Sequence, residues 1–188
     1  MKYIISGTNR PGSRTMQLSK IIQEIYKEEG ESVPIIDVAE MDFADSTGMY
    51  GDSVPPKMRA AIDLINEADG LIIVCPEYNG SYPGALKLFI DHWKYPLTFE
   101  NRPICFVGLG GRFGGLRPVE HLQGVFGYRN AFLFPERVFI FEVWNILKNG
   151  ILLDARLTDL LRQQARGFMA FTRGLSAEKL DANSKRRP

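Results

Sequence analysis

Hydrophobic residues are arranged in two alternating patterns along the chain. Short, nearly continuous apolar runs occur at KYIIS (2–6), VPIIDV (33–38), GLIIVC (70–75) and PICFVGL (103–109). They lack the apolar–polar alternation of a half-exposed strand, so they predict strands covered on both faces. Between them, apolar positions recur at helical spacing. Leu18, Ile21, Ile22 and Ile25 predict a helix over 14–29, closed by Gly30, and Met58, Ile62 and Ile65 predict a second over 57–68. Leu86, Phe89, Ile90 and Trp93 mark one face of a third helix, and a fourth runs to about residue 126. AFLF (131–134) and RVFIF (137–141) supply the last strand material. Leu157, Leu160, Leu161, Phe168 and Phe171 build a closing helix.

Strands and helices in this order predict an α/β domain over residues 1–175, with a parallel sheet and helices on both faces. The tail from 176 to 188, AEKLDANSKRRP at its end, has little to bury and reads as flexible. No internal repeat or inter-domain linker interrupts the order. Right-handed crossovers place the strand-to-helix turns along one sheet edge, where ligands of such folds bind. Three of those turns are glycine-rich, at 7–15, 76–84 and 108–115, and are candidates to share one pocket. The polar stretch 40–56 is long for a connection, which marks it as functional, with Met49 and Tyr50 as candidate side chains at the entry to that pocket.

Charge narrows the partners. A formal net charge of +1 gives no basis for binding nucleic acid or an anionic membrane. Cys75 and Cys105 sit inside apolar runs and read as small buried residues, neither a disulfide frame nor a metal site. Met1 and Lys2 lead straight into strand-like YIIS without the apolar core of a signal peptide, and no apolar stretch is long enough to span a bilayer. A cytoplasmic protein is the expectation.

The first turn, GTNRPGSRT, follows one strand and opens a helix. Thr8, Ser13 and Thr15 offer hydroxyls, Arg10 and Arg14 offer guanidinium groups, and the helix start adds free N–H groups and a positive dipole end. Together these suit a phosphate. After Gly7 and Gly12 come Ser13 and Arg14, so the Lys-Ser/Thr of a Walker A loop is absent. The three glycines of a dinucleotide turn are also absent. A monophosphate fits better, such as the one at the end of the ribityl chain of flavin mononucleotide (FMN). The alternative is that Ser13 only caps the helix and Arg10 is solvated.

The second turn carries a resemblance. ADGLIIVCPEYNGSYPGALKLFIDHW (68–93) is similar to the signature segment of the NAD(P)H-dependent FMN reductases, which include quinone, azo-dye and chromate reductases. GTNRPGSRT resembles the phosphate loop of that family, with Thr8 where serine is usual and Thr15 where asparagine often stands. The resemblance implies a flavodoxin-like three-layer sandwich with a five-stranded parallel sheet in the order 2-1-3-4-5. It implies that Pro76, Glu77, Tyr78, Asn79, Gly80 and Ser81 line the flavin, largely through backbone, and that Gly110, Gly111 and Arg112 of GGRFGG make a third contact. The residue types agree with that use. Glycine admits close approach, proline limits the loop's freedom, and Asn79 can both donate and accept. Glu77 is open to a general-base role or to a structural pairing, and Arg112 to a charge near the flavin or to solvent.

What the resemblance implies is an FMN-dependent enzyme. NAD(P)H is the co-substrate, the acceptor is a small molecule (a quinone, azo compound, free flavin or chromate), and turnover is ping-pong. No catalytic side chain and no metal are expected, because the cofactor carries the chemistry. His92 and His121 lack partners at metal-ligand spacing and read as structural or solvated. A homodimer or homotetramer is implied too, with Trp93 and Tyr95 at the subunit boundary. The alternative, a flavodoxin-type electron carrier, shares the architecture, but such carriers are usually strongly acidic, and this chain is not.

Overall fold

The computed structural model describes residues 1–44, 46 and 53–186. Met49 and Tyr50 lie outside the described residues. Five parallel strands form the central sheet: β1 (Lys2–Ser6), β2 (Ile35–Asp37), β3 (Gly70–Pro76), β4 (Pro103–Leu109) and β5 (Phe132–Ile140), in the order β2-β1-β3-β4-β5. This is the flavodoxin-like order. β3 and β4 are buried at every position, as their unbroken apolar runs require.

Side-chain alternation along these strands feeds two cores. Ile5, Leu71, Ile73, Cys75, Ile104 and Phe106 face one way, against α2 (Pro56–Asn66), α3 (Gly84–Asp91) and α4 (Leu116–Tyr128). Ile4, Ile72, Val74, Cys105, Val107 and Leu109 face the other way, against α1 (Arg14–Glu28) and α6 (Ala155–Ala177). Trp93 follows α3 and is 4 % exposed, packed against Phe89, Phe99 and Phe126. It belongs to the chain's own core and is not a surface residue.

AFLF and RVFIF supply the last strand as expected, and it runs without a break through Pro135. The β4–β5 register shifts between Ile104 and Phe106, and an edge-strand irregularity of this kind tolerates a residue without an N–H. The buried Gln164 side chain of α6 spans it, donating to Phe106 O at 3.0 Å and Glu136 O at 2.9 Å. The tail departs from its expectation. Far from hanging free, α6 runs to Ala177 and α7 (Ala182–Arg186) follows, with Asp181 and Ala182 buried. Ala182 N donates to Asn101 O, and Asn183 Nδ2 donates to Glu67 O. The fully buried Arg102 reaches Asn66 O, Ala68 O and Asn183 Oδ1. The few apolar residues of the tail gave no sign of this anchor, because it is polar.

Between β5 and α6 lie a one-turn helix, α5 (Val143–Ile146), and an antiparallel pair, β6 (Leu147–Lys148) and β7 (Ile151–Leu152). This insert sits at the carboxyl end of the sheet. Three backbone bonds continue the ladders past the strand ends there. Gly7 N donates to Val74 O at 2.9 Å, Glu77 N to Leu109 O at 3.0 Å and Gly110 N to Ile140 O at 3.1 Å. Each glycine-rich corner is thereby pinned to the next strand.

The third corner is also the most crowded. Gly115 has φ +83°, and a Cβ there would stand 2.4 Å from Leu109 N. Gly115→Ala is expected to lower unfolding free energy by about 3 kcal/mol or more, from left-handed strain plus displaced backbone. Gly174→Ala, in open space on α6, should gain about 0.5–1 kcal/mol. Urea denaturation of both variants checks the pair.

Candidate functional site

A cleft of about 230 Å³ opens where the three corners meet. Arg10, Ser13, Arg14 and Thr15 line it from the first corner, Pro76, Glu77 and Tyr78 from the second, and Gly110 from the third. Pro11, Gly12, Gln17, Leu109, Val143 and Trp144 complete the wall.

The first corner has the form of an anion seat. Ser13 is the N-cap of α1, its Oγ accepting from Met16 N at 3.1 Å. Arg14 and Thr15 take the first two helical positions, whose N–H groups have no acceptor within the helix. The Thr15 side chain is buried at the cleft, and among the described residues its hydroxyl has no recorded partner. Arg10 is exposed at the rim. The capping and phosphate readings of Ser13 are therefore compatible, since its Oγ accepts from the helix and its proton remains to donate. Thr8 is placed differently from the rest. It is fully buried behind the cleft, with Oγ1 2.9 Å from the Tyr78 hydroxyl and accepting from Arg10 N at 3.3 Å. It shapes the loop and does not line the cleft.

The second corner answers to a tight hairpin. Asn79 (φ 51°) and Gly80 (φ 78°) are both left-handed, and Tyr78 and Ser81 exchange backbone bonds at 2.9 and 3.1 Å. Asn-Gly is the preferred filling of such a two-residue turn. Asn79, Gly80 and Ser81 thus build the turn and stand outside the cleft wall, with Ser81 Oγ 2.9 Å from His121 Nδ1. Glu77 has the structural pairing, with Arg117 Nη1 donating to its Oε1 at 3.0 Å. The Arg117 guanidinium lies 3.8 Å from the centroid of the Phe113 ring, so one side chain joins the second corner to the third.

In the third corner Gly110 lines the cleft, while Gly111 and Arg112 do not. Gly111 carries Trp144 against it, and Arg112 is exposed beside Phe113. The carbonyls of Gly110 and Gly111 accept from Val143 N and Glu142 N, both at 3.0 Å. The insert then returns to the first corner, where Gly150 N donates to Gln17 Oε1 at 3.2 Å. A closed ring of contacts therefore surrounds the cleft. Burial pushes the Cys75 thiol well up from its usual range, with a smaller effect of the Glu77 charge, so that sulfur is no thiolate nucleophile.

The sequence reading missed Gln17, Leu109, Val143 and Trp144. The tryptophan of EVWN, just past the apolar run RVFIF, was the available signal for the last.

Fold and site together define a flavodoxin-like protein with an anion seat at the start of its first helix. The family described as NADPH-dependent FMN reductase matches residues 3–145, and the chain belongs to it. It is 33 % identical over 128 residues to an NAD(P)H:quinone oxidoreductase of Solanum tuberosum, covering 65 % of this chain and 66 % of the relative. It is 30 % identical over 125 residues to an FMN-dependent NADPH-azoreductase of Staphylococcus aureus, covering 64 % and 65 %. The chain thus spans just under two thirds of these relatives' length. Among solved structures, it superposes on RosB with a bound 8-demethyl-8-formylriboflavin-5′-phosphate intermediate at TM-score 0.75, 16 % identity, 94 % of this chain and 80 % of that one. FerB, a flavoenzyme NAD(P)H:(acceptor) oxidoreductase from Paracoccus denitrificans, superposes at 0.71, 18 % identity, 92 % and 97 %. These likenesses are of fold.

The Glu77–Arg117 link is testable on stability alone. A double-mutant cycle of Glu77→Gln and Arg117→Ala by thermal or urea unfolding should return a coupling of about 0.5–1 kcal/mol, the range of partly exposed pairs. A value near zero would remove the link.

Proposed function

We propose that this protein is an FMN-dependent oxidoreductase that takes reducing equivalents from NADH or NADPH and passes them to a small-molecule acceptor of the quinone or azo type. The observation that carries the proposal is the cleft itself. The Thr15 hydroxyl, without a hydrogen-bond partner among the described residues, the open N–H groups at the start of α1 and the Ser13 hydroxyl converge beside the 76–78 and 110 backbone. That donor set fits a dianionic monophosphate. At about 230 Å³ the cleft is smaller than the roughly 300–1,000 Å³ of most ligand pockets. It suits the phosphate, the chain and a ring edge, with the remainder of a flat ring lying outside it.

Thr15, Ser13 and the first turn of α1 would hold the phosphate, with Arg10 adding charge at the rim. Pro76, Tyr78 and Gly110 would meet the ring edge. Bound FMN would supply the two-electron chemistry that links oxidation of NAD(P)H to reduction of the acceptor in two ping-pong half-reactions. Glu77 is held by Arg117 and is not assigned a proton-transfer role. Thr8, Asn79, Gly80, Ser81, Gly111 and Arg112 act by shaping the three corners. The setting we propose is the cytoplasm, where NAD(P)H is available; no helix among the described residues is long and apolar enough to cross a membrane.

The test is steady-state oxidation of NADH and NADPH by the FMN-loaded protein with a quinone present. Turnover is expected. Bound flavin that neither nucleotide reduces would contradict the proposal and select a carrier. Thr15→Val should weaken FMN by about 1.5–3 kcal/mol, the usual contribution of a hydrogen bond to a charged group, followed by flavin fluorescence titration.

We also propose a homodimer, or a homotetramer built from it, through the groove between α3 and α4. Ile90, Phe99, Val125, Tyr128 and Arg129 line this groove, and Tyr95 and Tyr128 are exposed on that face. Tyr128→Glu should shift the protein toward monomer in light scattering. An unchanged mass would place the interface elsewhere.

A further inference from the structure

We infer that Trp144 is the binding residue against which the flat ring of the flavin packs, and that Gly111 lacks a side chain so that Trp144 can stand there. The inference deepens the FMN reading and rests on it.

Trp144 lines the same cleft as the anion seat and is 53 % exposed, so a large aromatic surface is available at the site. Its position is imposed by the chain. Glu142 adopts φ 45°, a left-handed conformation uncommon for a residue with a side chain, and such strain concentrates at ligand sites. That bend sends Val143 into the core at 4 % exposure and leaves Trp144 at the cleft. Bonds from Glu142 N to Gly111 O, Val143 N to Gly110 O and Asn145 N to Glu142 O (2.7 Å) fix the turn. The six-membered edge of the indole lies over Gly111. A Cβ there would stand 2.7 Å from Cζ3 and 3.2 Å from Cη2, and the three atoms nearest to it all belong to Trp144.

The chemistry selects a planar partner. An indole face is electron-rich, and the oxidised isoalloxazine ring is flat and electron-poor, so offset stacking is favourable. The phosphate has its own donors at α1 and makes no demand on Trp144. The two ends of the ligand are therefore recognised independently, and binding with and without the phosphate separates them.

The experiment measures FMN and riboflavin binding to flavin-free protein by fluorescence titration, with circular dichroism to confirm folding. Trp144→Ala should weaken both flavins by the same factor, about tenfold, which is the upper range of an aromatic pair. Thr15→Val should weaken FMN and leave riboflavin alone. Trp144→Phe should stay within about threefold of wild type. Gly111→Ala should weaken both flavins, yet change nothing further in the Trp144→Ala background, because its only clash is then gone. Independently, in Trp93→Phe protein Trp144 is the sole tryptophan, and FMN should cut its acrylamide quenching severalfold. No FMN uptake by wild type would overturn the FMN reading and this inference with it. Uptake by wild type with Trp144→Ala binding both flavins as tightly, or with acrylamide access unchanged by FMN, would overturn this inference alone.

Discussion

The continuation of the sheet's hydrogen-bond ladder past its carboxyl edge is the interaction on which the site depends. Gly7 N, Glu77 N and Gly110 N each reach a carbonyl near the carboxyl end of the neighbouring strand, at Val74, Leu109 and Ile140. A loop after a strand is normally free to choose its path. Here the first step out of each strand is already committed, so three corners separated by some hundred residues of chain keep a common register. The buried strands beneath them transmit that register through two packed cores, and a packed core does not deform gradually.

Side chains then close what the ladder begins. Thr8 meets Tyr78, Glu77 meets Arg117, the Gly110 and Gly111 carbonyls take the 142–143 backbone, and Gly150 returns to Gln17. Several residues that a motif reading assigns to the ligand spend their polar groups on this ring of contacts. The consequence is a site whose walls are held before any ligand arrives, which limits the ordering cost of binding. The groups left over are those at the start of α1, the Thr15 hydroxyl and the face of Trp144. Those are the complement of an anion attached to a flat ring.

The strands, both faces of the sheet and the three-corner convergence were legible in the sequence, because unbroken apolar runs and glycine clusters report burial and turns directly; the strand order followed only from the resemblance carried by residues 7–15 and 68–93. GLIIVC and PICFVGL could only be central strands, and GTNRPGSRT could only open a helix. The finer assignments were not legible. Asn79-Gly80 has the same spelling whether it touches a ligand or makes a turn. Thr8 and Thr15 are the same residue type and both buried, and only their surroundings separate them: Thr8 is tied to Tyr78 and Arg10, while Thr15 lines the cleft. The docked tail was hidden because its anchor, Arg102 and Asn183, consists of polar contacts far apart in sequence. Trp144 was hidden because it reaches the cleft through a bend at Glu142 that no periodicity announces.

The central claim is that the start of α1 encloses a phosphate monoester joined to a flat ring. Phosphorus NMR of the protein mixed with FMN tests it most directly. An enclosed phosphate, held by Thr15, Ser13 and helix N–H groups, should give one protein-bound resonance whose position does not change as pH crosses about 6, where a free phosphate monoester takes up its second proton. A resonance that titrates like free FMN, or no bound resonance at all, would contradict the account.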